Sequence, residues 1–260
     1  MVKRDIDIID IHAHLGSYFQ FPIRQNEIKE IIEIAESYGI KKMCVSHLIA
    51  FLYDAKEGNS LTLGGINDFK KLFLFGGVID PRWSETKIET EYLNINPKVS
   101  MWNELHPALH QYPISGIGYK VILDLIKKNP KPVLFHTDES DQYSKPGQID
   151  ELAKLYPEIP FIIGHSGNVI GGFEIAVEIA KKYDNVFLDS TFSRNYFGLM
   201  KWMIKKVGAE KILFGSDMPF LNGAAQIGKL YEAGITDNDR QKIFHDNAAK
   251  LLQIKGSSKN

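Results

Sequence analysis

Two histidines separated by one residue close the first apolar run of the chain, "DIIDIHAHLG", residues Asp7 to Gly16. In an extended strand, residues i and i+2 point the same way, about 6–7 Å apart along the strand. His12 and His14 can therefore lean together onto one divalent ion, with their nitrogens about 2.0–2.1 Å from it. The plainer reading is a pair of polar residues at a strand end, because the motif is short. The wider sequence favours the ion. "MWNELHP", "PVLFHTDES", "FIIGHSG" and "ILFGSDMPF" each place ligand-type residues just past an aliphatic run. They supply Glu104, His136, His165 and Asp217, residue types that divalent transition metals bind. Taken singly, His136 or His165 reads as a satisfied core histidine. Asp217 is more pointed, because a carboxylate after an aliphatic strand is costly to bury without a cation or donors. Its other reading is a cap for the next helix, since Gly215 and Pro219 mark a turn.

Such residues can meet only if the elements that carry them end on one side of the fold. Short β-branched runs alternate with amphipathic stretches of helical length, which means parallel strands with helical crossovers. Eight strands are predicted, near residues 6–11, 42–46, 73–79, 99–103, 133–135, 161–164, 186–188 and 212–214. "NEIKEIIEIAESYG" reads as a helix capped by Asn26 and stopped at Gly39. Four later stretches repeat that pattern and end in Pro, Asn or Gly. Eight strands with intervening helices predict a somewhat distorted (β/α)8 TIM barrel, one domain over residues 1–260, with an open doubly wound sheet as the alternative. In a barrel, the strand carboxyl ends form the active face, so all six residues would converge on one mouth. Between Leu48 and Leu72, Gly64 and Gly65 fall where a crossover helix belongs, which predicts a helix that is short, broken or replaced by loop.

Composition limits the functions that fit. The 260 residues are 44% hydrophobic, enough to bury a full core. With 31 basic against 32 acidic residues, the chain has no bulk attraction for nucleic acid or an anionic membrane. No apolar run approaches the ~20 residues that span a bilayer, and acidic residues stand where a signal peptide would be apolar. The single cysteine, Cys44, sits in a predicted strand without a partner, which fits a reducing cytoplasm and argues against a thiol nucleophile. A homo-oligomer is the common default and stays open.

The ordered series "DIHAHLG", "VLFHTDE", "IIGHSGN", "VFLDSTF", "LFGSDMPF" and "HDNAAKLL" resembles the amidohydrolase superfamily, specifically the amidohydrolase-related (amidohydrolase 2) family of metal-dependent barrel enzymes. The resemblance implies that His12, His14, His136 and Asp217 match metal-site positions. It makes His165 either a ligand of a second metal or a histidine that polarises substrate. Many two-metal members carry a bridging carbamylated lysine on the fourth strand. Glu104 there resembles the branches, including TatD-type deoxyribonucleases, in which a glutamate takes that place. The expected cofactor is a divalent metal, two zinc ions per chain, with Glu104 between them, His12, His14 and Asp217 on one and His136 and His165 on the other. A single ion, and manganese, nickel or iron, are the alternatives.

By the same resemblance, the first expectation is hydrolysis of an amide, ester or lactone of a small molecule by a metal-activated water, with Asp217 as general base. A decarboxylase of aromatic or related acids and a TatD-like nuclease are the alternatives, and family membership alone does not choose among them. Loop residues after the strands should supply the substrate pocket: Tyr18, Phe19, His47, Arg82, Trp83, His110, Glu139, Arg194, Phe220 and Asn222. Arg82 and Arg194 are the candidates to anchor a carboxylate or phosphate. His106 is a second polar candidate on the fourth strand.

Overall fold

A computed structural model describes residues 6–18 and 27–254. Eight parallel strands form one sheet in the order β1 to β8: Ile8–Leu15, Ile40–His47, Phe73–Gly77, Val99–Leu105, Val133–Phe135, Phe161–Ile163, Val186–Asp189 and Ile212–Leu213. The sheet curls into a nearly closed barrel. Where its ends meet, the Ile11 N–H donates to Phe214 O at 3.0 Å, the Asp217 N–H to His12 O at 2.7 Å and the His14 N–H to Met218 O at 2.7 Å. Buried Asp10 fastens the same seam, accepting from the Ser216 hydroxyl at 2.5 Å and from the backbone N–H groups of Ser216 and His12 at 3.0 and 3.1 Å.

Among the described residues, twelve helices surround or cap the strands: α1 Ile28–Tyr38, α2 Ile49–Leu52, α3 Ala55–Ile66, α4 Thr86–Ile95, α5 Pro107–His110, α6 Ile117–Ile126, α7 Ile149–Leu155, α8 Ile170–Lys182, α9 Leu199–Val207, α10 Gly223–Glu232, α11 Asp237–Gln241 and α12 Asn247–Leu251. The start of α1 is a capping box between Glu27 and Glu30, and Gly39 ends it at φ 77°. The predicted cap, Asn26, lies outside the described residues. The crossover between β2 and β3 is interrupted, as its glycines suggested, but not at the glycines. It divides at Asp54, which caps α3, and Gly64 and Gly65 complete the last turn of that helix. A Cβ at Gly64 would meet nothing within 4 Å, so no contact opposes helix there. Among the described residues, no helix is long and apolar enough to cross a membrane.

The barrel interior is filled from every strand by Ile9, Ile11, Cys44, Leu74, Met101, Leu134, Ile162, Phe187 and Leu213. Ala248 and its neighbours at the carboxyl end of the chain pack beneath them. Asn247 holds that segment in place by donating to Ala209 O and Ile212 O at 2.8 and 2.7 Å. Strict alternation would send His12 and His14 away from the face that Ile9 and Ile11 share. The β1–β2 register slips by one residue between Asp10 and Ala13, and the β4–β5 register slips between Trp102 and Leu105. Each bulge re-aims the residues beyond it. The same strands thus supply Ile9, Ile11 and Met101 to the apolar floor, and His12, His14 and Glu104 to the mouth above it.

Close backbone approach matters just below that mouth. A Cβ at Gly164, at the end of β6, would lie 2.5 Å from Phe135 O on β5. On the other side, α10 carries buried Lys229, which donates to Ser190 O and Gln226 Oε1 and sits 3.7 Å from the centre of the Phe192 ring. Burial pushes its amine down to about 7.

Gly164→Ala should force β5 and β6 apart and cost about 1–3 kcal/mol, a fall in melting temperature of about 2–4 °C per kcal/mol by calorimetry. Gly228→Ala, in α10 where nothing approaches within 4 Å, should hold or raise stability; equal effects of the two would contradict the close approach. For Lys229, the unfolded chain keeps its proton up to the ordinary 10.5, whereas the fold releases it near 7. Between these values the unfolded state binds more protons, so this residue makes stability rise with pH. Lys229→Met should flatten that rise in urea midpoints taken between pH 7 and 10, and an unchanged slope would refute the assignment.

Candidate metal centre

Six side chains from five strand ends meet at the mouth. His12 and His14 lie within β1 and Glu104 within β4, while His136, His165 and Asp217 follow β5, β6 and β8. All but the half-buried His136 are buried. The Glu104 carboxylate is the common neighbour. Its Oε1 lies 2.9 Å from His136 Nδ1, 3.4 Å from His165 Nε2 and 3.5 Å from His12 Nε2, and its Oε2 lies 4.0 Å from His14 Nε2. Asp217 Oδ1 sits 3.2 Å from His14 Nε2 and 3.9 Å from His12 Nε2. Three sets have ligand atoms within 4.8 Å of one another: His12, His14 and Asp217; His12, Glu104 and His165; and Glu104, His106 and His136.

The orientation of each group is fixed from behind. Buried Asp189, the last residue of β7, accepts the His12 Nδ1–H at 2.7 Å. That bond leaves the lone pair of His12 on Nε2, which is buried without a hydrogen-bond partner and faces the two carboxylates. A lone pair aimed at carboxylate oxygens is a repulsive arrangement unless a proton or a cation lies between them. Two carboxylates and several imidazoles are also the donor set that divalent transition metals take, so these residues fit a metal.

Asp189 also accepts from the His165 and Thr191 N–H groups at 3.2 and 2.9 Å, and its carbonyl accepts the Ser166 hydroxyl at 2.6 Å. These bonds hold an unusual backbone. His165, Ser166, Gly167 and Asn168 run in the left-handed region, with φ of 54°, 48°, 84° and 59°. Three of the four are not glycine, and such residues persist there only where the surroundings over-determine them. Thr137 Oγ1 accepts the Gly167 N–H at 2.9 Å, and Asp138 accepts the Asn168 amide at 2.8 Å. The turn that presents His165 is thus tied to both β5 and β7. His14 is steadied by Ser46, 3.3 Å from its Nδ1.

Charge follows this geometry. Burial alone would push the His12 imidazole down, but Glu104 and Asp189 overcome it and hold it well above its ordinary value. Burial opposes ionisation of Glu104, yet His136 and His12 hold its carboxyl well below the usual range. Asp217 is likewise held low, against burial, by its bond to His14 and by His12 and His165. Both carboxylates are thereby kept as anions.

His14, Glu104, His136, His165 and Asp217 border a cavity of about 440 Å³ whose other walls include Tyr18, Leu48, Phe51, His106, Leu109, Asn168, Ser193, Phe220 and Leu221. Of the sequence candidates for the pocket, Tyr18 and Phe220 therefore lie at the site; the Phe220 ring is 5.3 Å from that of His14. Arg82 and Trp83 do not. Arg82 is held by Asp80 through contacts of 2.9 and 2.6 Å, and both line a separate cavity beside α3 and α4. Arg194 is exposed in the loop after β7 and is not among the residues lining the centre's cavity. The local carboxylate captures Arg82, which no spacing rule reveals.

The other candidates have structural partners. His47 Nδ1 accepts the Ile49 N–H, His110 lies 3.4 Å from the Tyr119 hydroxyl, Glu139 pairs with Lys145, and Asn222 caps α10. Phe19 lies outside the described residues. Sequence reasoning gave no role to Asp189, although "VFLDSTF" carries it at a strand end, which was the available signal.

The amidohydrolase family model matches residues 59–254. The chain belongs to the amidohydrolase family, a family of enzymes. The matched segment holds Glu104, His136, His165, Asp189 and Asp217 and begins after β1. A comparison with curated proteins finds no match. Solved structures share the fold. A 2,6-dihydroxybenzoate decarboxylase from Rhizobium is 15% identical with a TM-score of 0.75, over 96% of this chain and 100% of that one. A dihydroxybenzoic acid decarboxylase from Polaromonas, with bound manganese and the inhibitor 2-nitroresorcinol, is 15% identical with a TM-score of 0.75, over 95% and 97%. A "probable 2-pyrone-4,6-dicarboxylic acid hydrolase" from Acinetobacter baumannii, with citric acid bound, is 13% identical with a TM-score of 0.72, over 95% and 100%. At these identities the likeness concerns the barrel.

Removing the carboxylate behind a metal-ligating histidine typically costs about 10–100-fold in metal affinity. Asp189→Asn should weaken zinc or manganese retention by that factor in chelator competition while the circular dichroism spectrum is kept. Unchanged retention would separate Asp189 from metal binding.

Proposed function

We propose that this protein is a metal-dependent hydrolase that cleaves an amide, ester or lactone bond of a small molecule. The observation that carries the reading is the placement of Asp217: its carboxylate borders the cavity, is held ionised by the neighbouring histidines and stands 3.2 Å from His14 Nε2. His12, His14 and Asp217 would hold one divalent ion and His136 and His165 a second, with Glu104 shared between them. A divalent metal supplies Lewis acidity, which polarises a carbonyl oxygen and acidifies water.

Asp217 accepts the proton of the attacking water and returns it to the departing amine or alcohol oxygen, while the remaining hydroxyl becomes part of the product acid. Phe51, Leu48, Leu109 and Phe220 bind the apolar part of the substrate and exclude bulk water, which strengthens the electrostatic contacts inside. The shared position of Glu104, within 4.0 Å of nitrogens from four histidines, supports two ions over one; zinc suits the imidazole and carboxylate set, and the manganese of the Polaromonas structure supports manganese as the other choice.

A second reading, decarboxylation of an aromatic acid, is supported by the reactions named for the Rhizobium and Polaromonas structures. Product analysis separates the two: hydrolysis of aryl esters, lactones or anilides releases an acid and an alcohol or amine, and decarboxylation of hydroxybenzoates releases carbon dioxide.

With metal-loaded enzyme, we expect hydrolysis, and Asp217→Asn should lower kcat by about 10²–10⁴-fold. Glu104→Gln should reduce the metal content toward one ion per chain by elemental analysis. Wild-type rates in the Asp217 variant would remove it from the chemistry, and carbon dioxide release without hydrolysis would favour the second reading.

A further inference from the structure

One imidazole in the cavity wall has its hydrogen-bonding state set by the backbone. His106 follows β4 and caps α5, its Nδ1 accepting the Leu109 N–H at 3.3 Å. A ring nitrogen that accepts carries no proton, so the neutral ring bears its hydrogen on Nε2. A doubly protonated ring would set two N–H groups against each other, and the Nδ1–H tautomer would do the same. One face of the ring is held by stacking. It stacks on His136 with 3.9 Å between centroids and 13° between planes, and it lies 6.2 Å from Phe51. It borders the same cavity as Glu104 and Asp217.

The cavity therefore offers a fixed, uncharged donor beside the apolar side chains of Phe51, Leu48 and Leu109. We propose that His106 Nε2–H is the specificity-determining donor of this site and positions the substrate by an oxygen acceptor next to an apolar or aromatic group. Esters and anilides with an aromatic group beside the acceptor fit this wall. The substrate class rests on the hydrolase reading; the donor role of His106 does not.

The test uses zinc-loaded enzyme and a non-natural probe, acetanilide, with affinities measured by calorimetry. His106→Asn is the informative variant, since asparagine can still accept the Leu109 N–H as a helix cap but does not reach the position of Nε2. Acetanilide should bind about tenfold more weakly to His106→Asn than to wild type, the loss of one good hydrogen bond, with metal content unchanged. Nitrogen-15 spectra of the histidine rings should show His106 as the Nε2–H tautomer. Equal acetanilide affinity in the two proteins, no acetanilide binding to wild type, an Nδ1–H tautomer, or loss of metal from His106→Asn would each overturn the proposal. Binding of acetanilide that depends on His106, without turnover of phenyl acetate, would sustain the donor role while defeating the hydrolase reading.

Discussion

A buried carboxylate with imidazoles on all sides is the constraint that organises this molecule. Glu104 is 3% exposed, and an anion at that depth is tolerated only where positive charge or strong donors surround it. Nitrogens of His12, His14, His136 and His165 supply that surrounding from three further strand ends. Asp217 repeats the arrangement on a smaller scale beside His14. Because the partners arrive on strands other than that of Glu104, the electrostatic balance of the centre and the closure of the barrel depend on each other. A shift of one strand by one residue would turn ligand-type side chains to the opposite face.

The fold meets that demand with irregularities rather than with ideal strands. Bulges in β1 and β4 convert an aliphatic floor into a polar mouth within a few residues, and a run of four left-handed residues turns the chain after β6 so that His165 enters the site. Asp189 links these devices. It holds the ring of His12, the backbone of His165 and the hydroxyl of Ser166 at once, so the orientation of two candidate ligands is decided by one side chain on a third strand. This is the usual logic of a metal site, in which the partners behind the ligands fix their tautomer and direction.

Much of this could be read from the sequence for physical reasons that also show where reading stops. Alternating apolar runs and amphipathic stretches revealed eight strands and the barrel, because burial of a parallel sheet on both faces leaves near-continuous Val, Ile, Leu and Phe segments. Polar residues at strand ends were conspicuous because those runs are otherwise aliphatic, so His12, His14, Glu104, His136, His165 and Asp217 could all be picked out. The bulges were not visible: an inserted residue changes facing without changing composition. Arg82 was assigned to substrate because arginines bind anions well, but Asp80, two residues away, already holds it. Asp189 escaped because a carboxylate that accepts from a histidine has no spacing signature. The capping role of His106 is equally invisible until α5 exists.

The account's central claim is that the charge at the barrel mouth is completed by divalent metal. An anomalous-difference map from crystals grown with zinc or manganese, collected on both sides of the metal absorption edge, tests it directly. The account predicts strong peaks about 2.0–2.2 Å from nitrogens of His12 and His14 and from carboxylate oxygens at the mouth, with Glu104 between two of them. A map with no peak there, or with metal bound only at other sites on the surface, would contradict it.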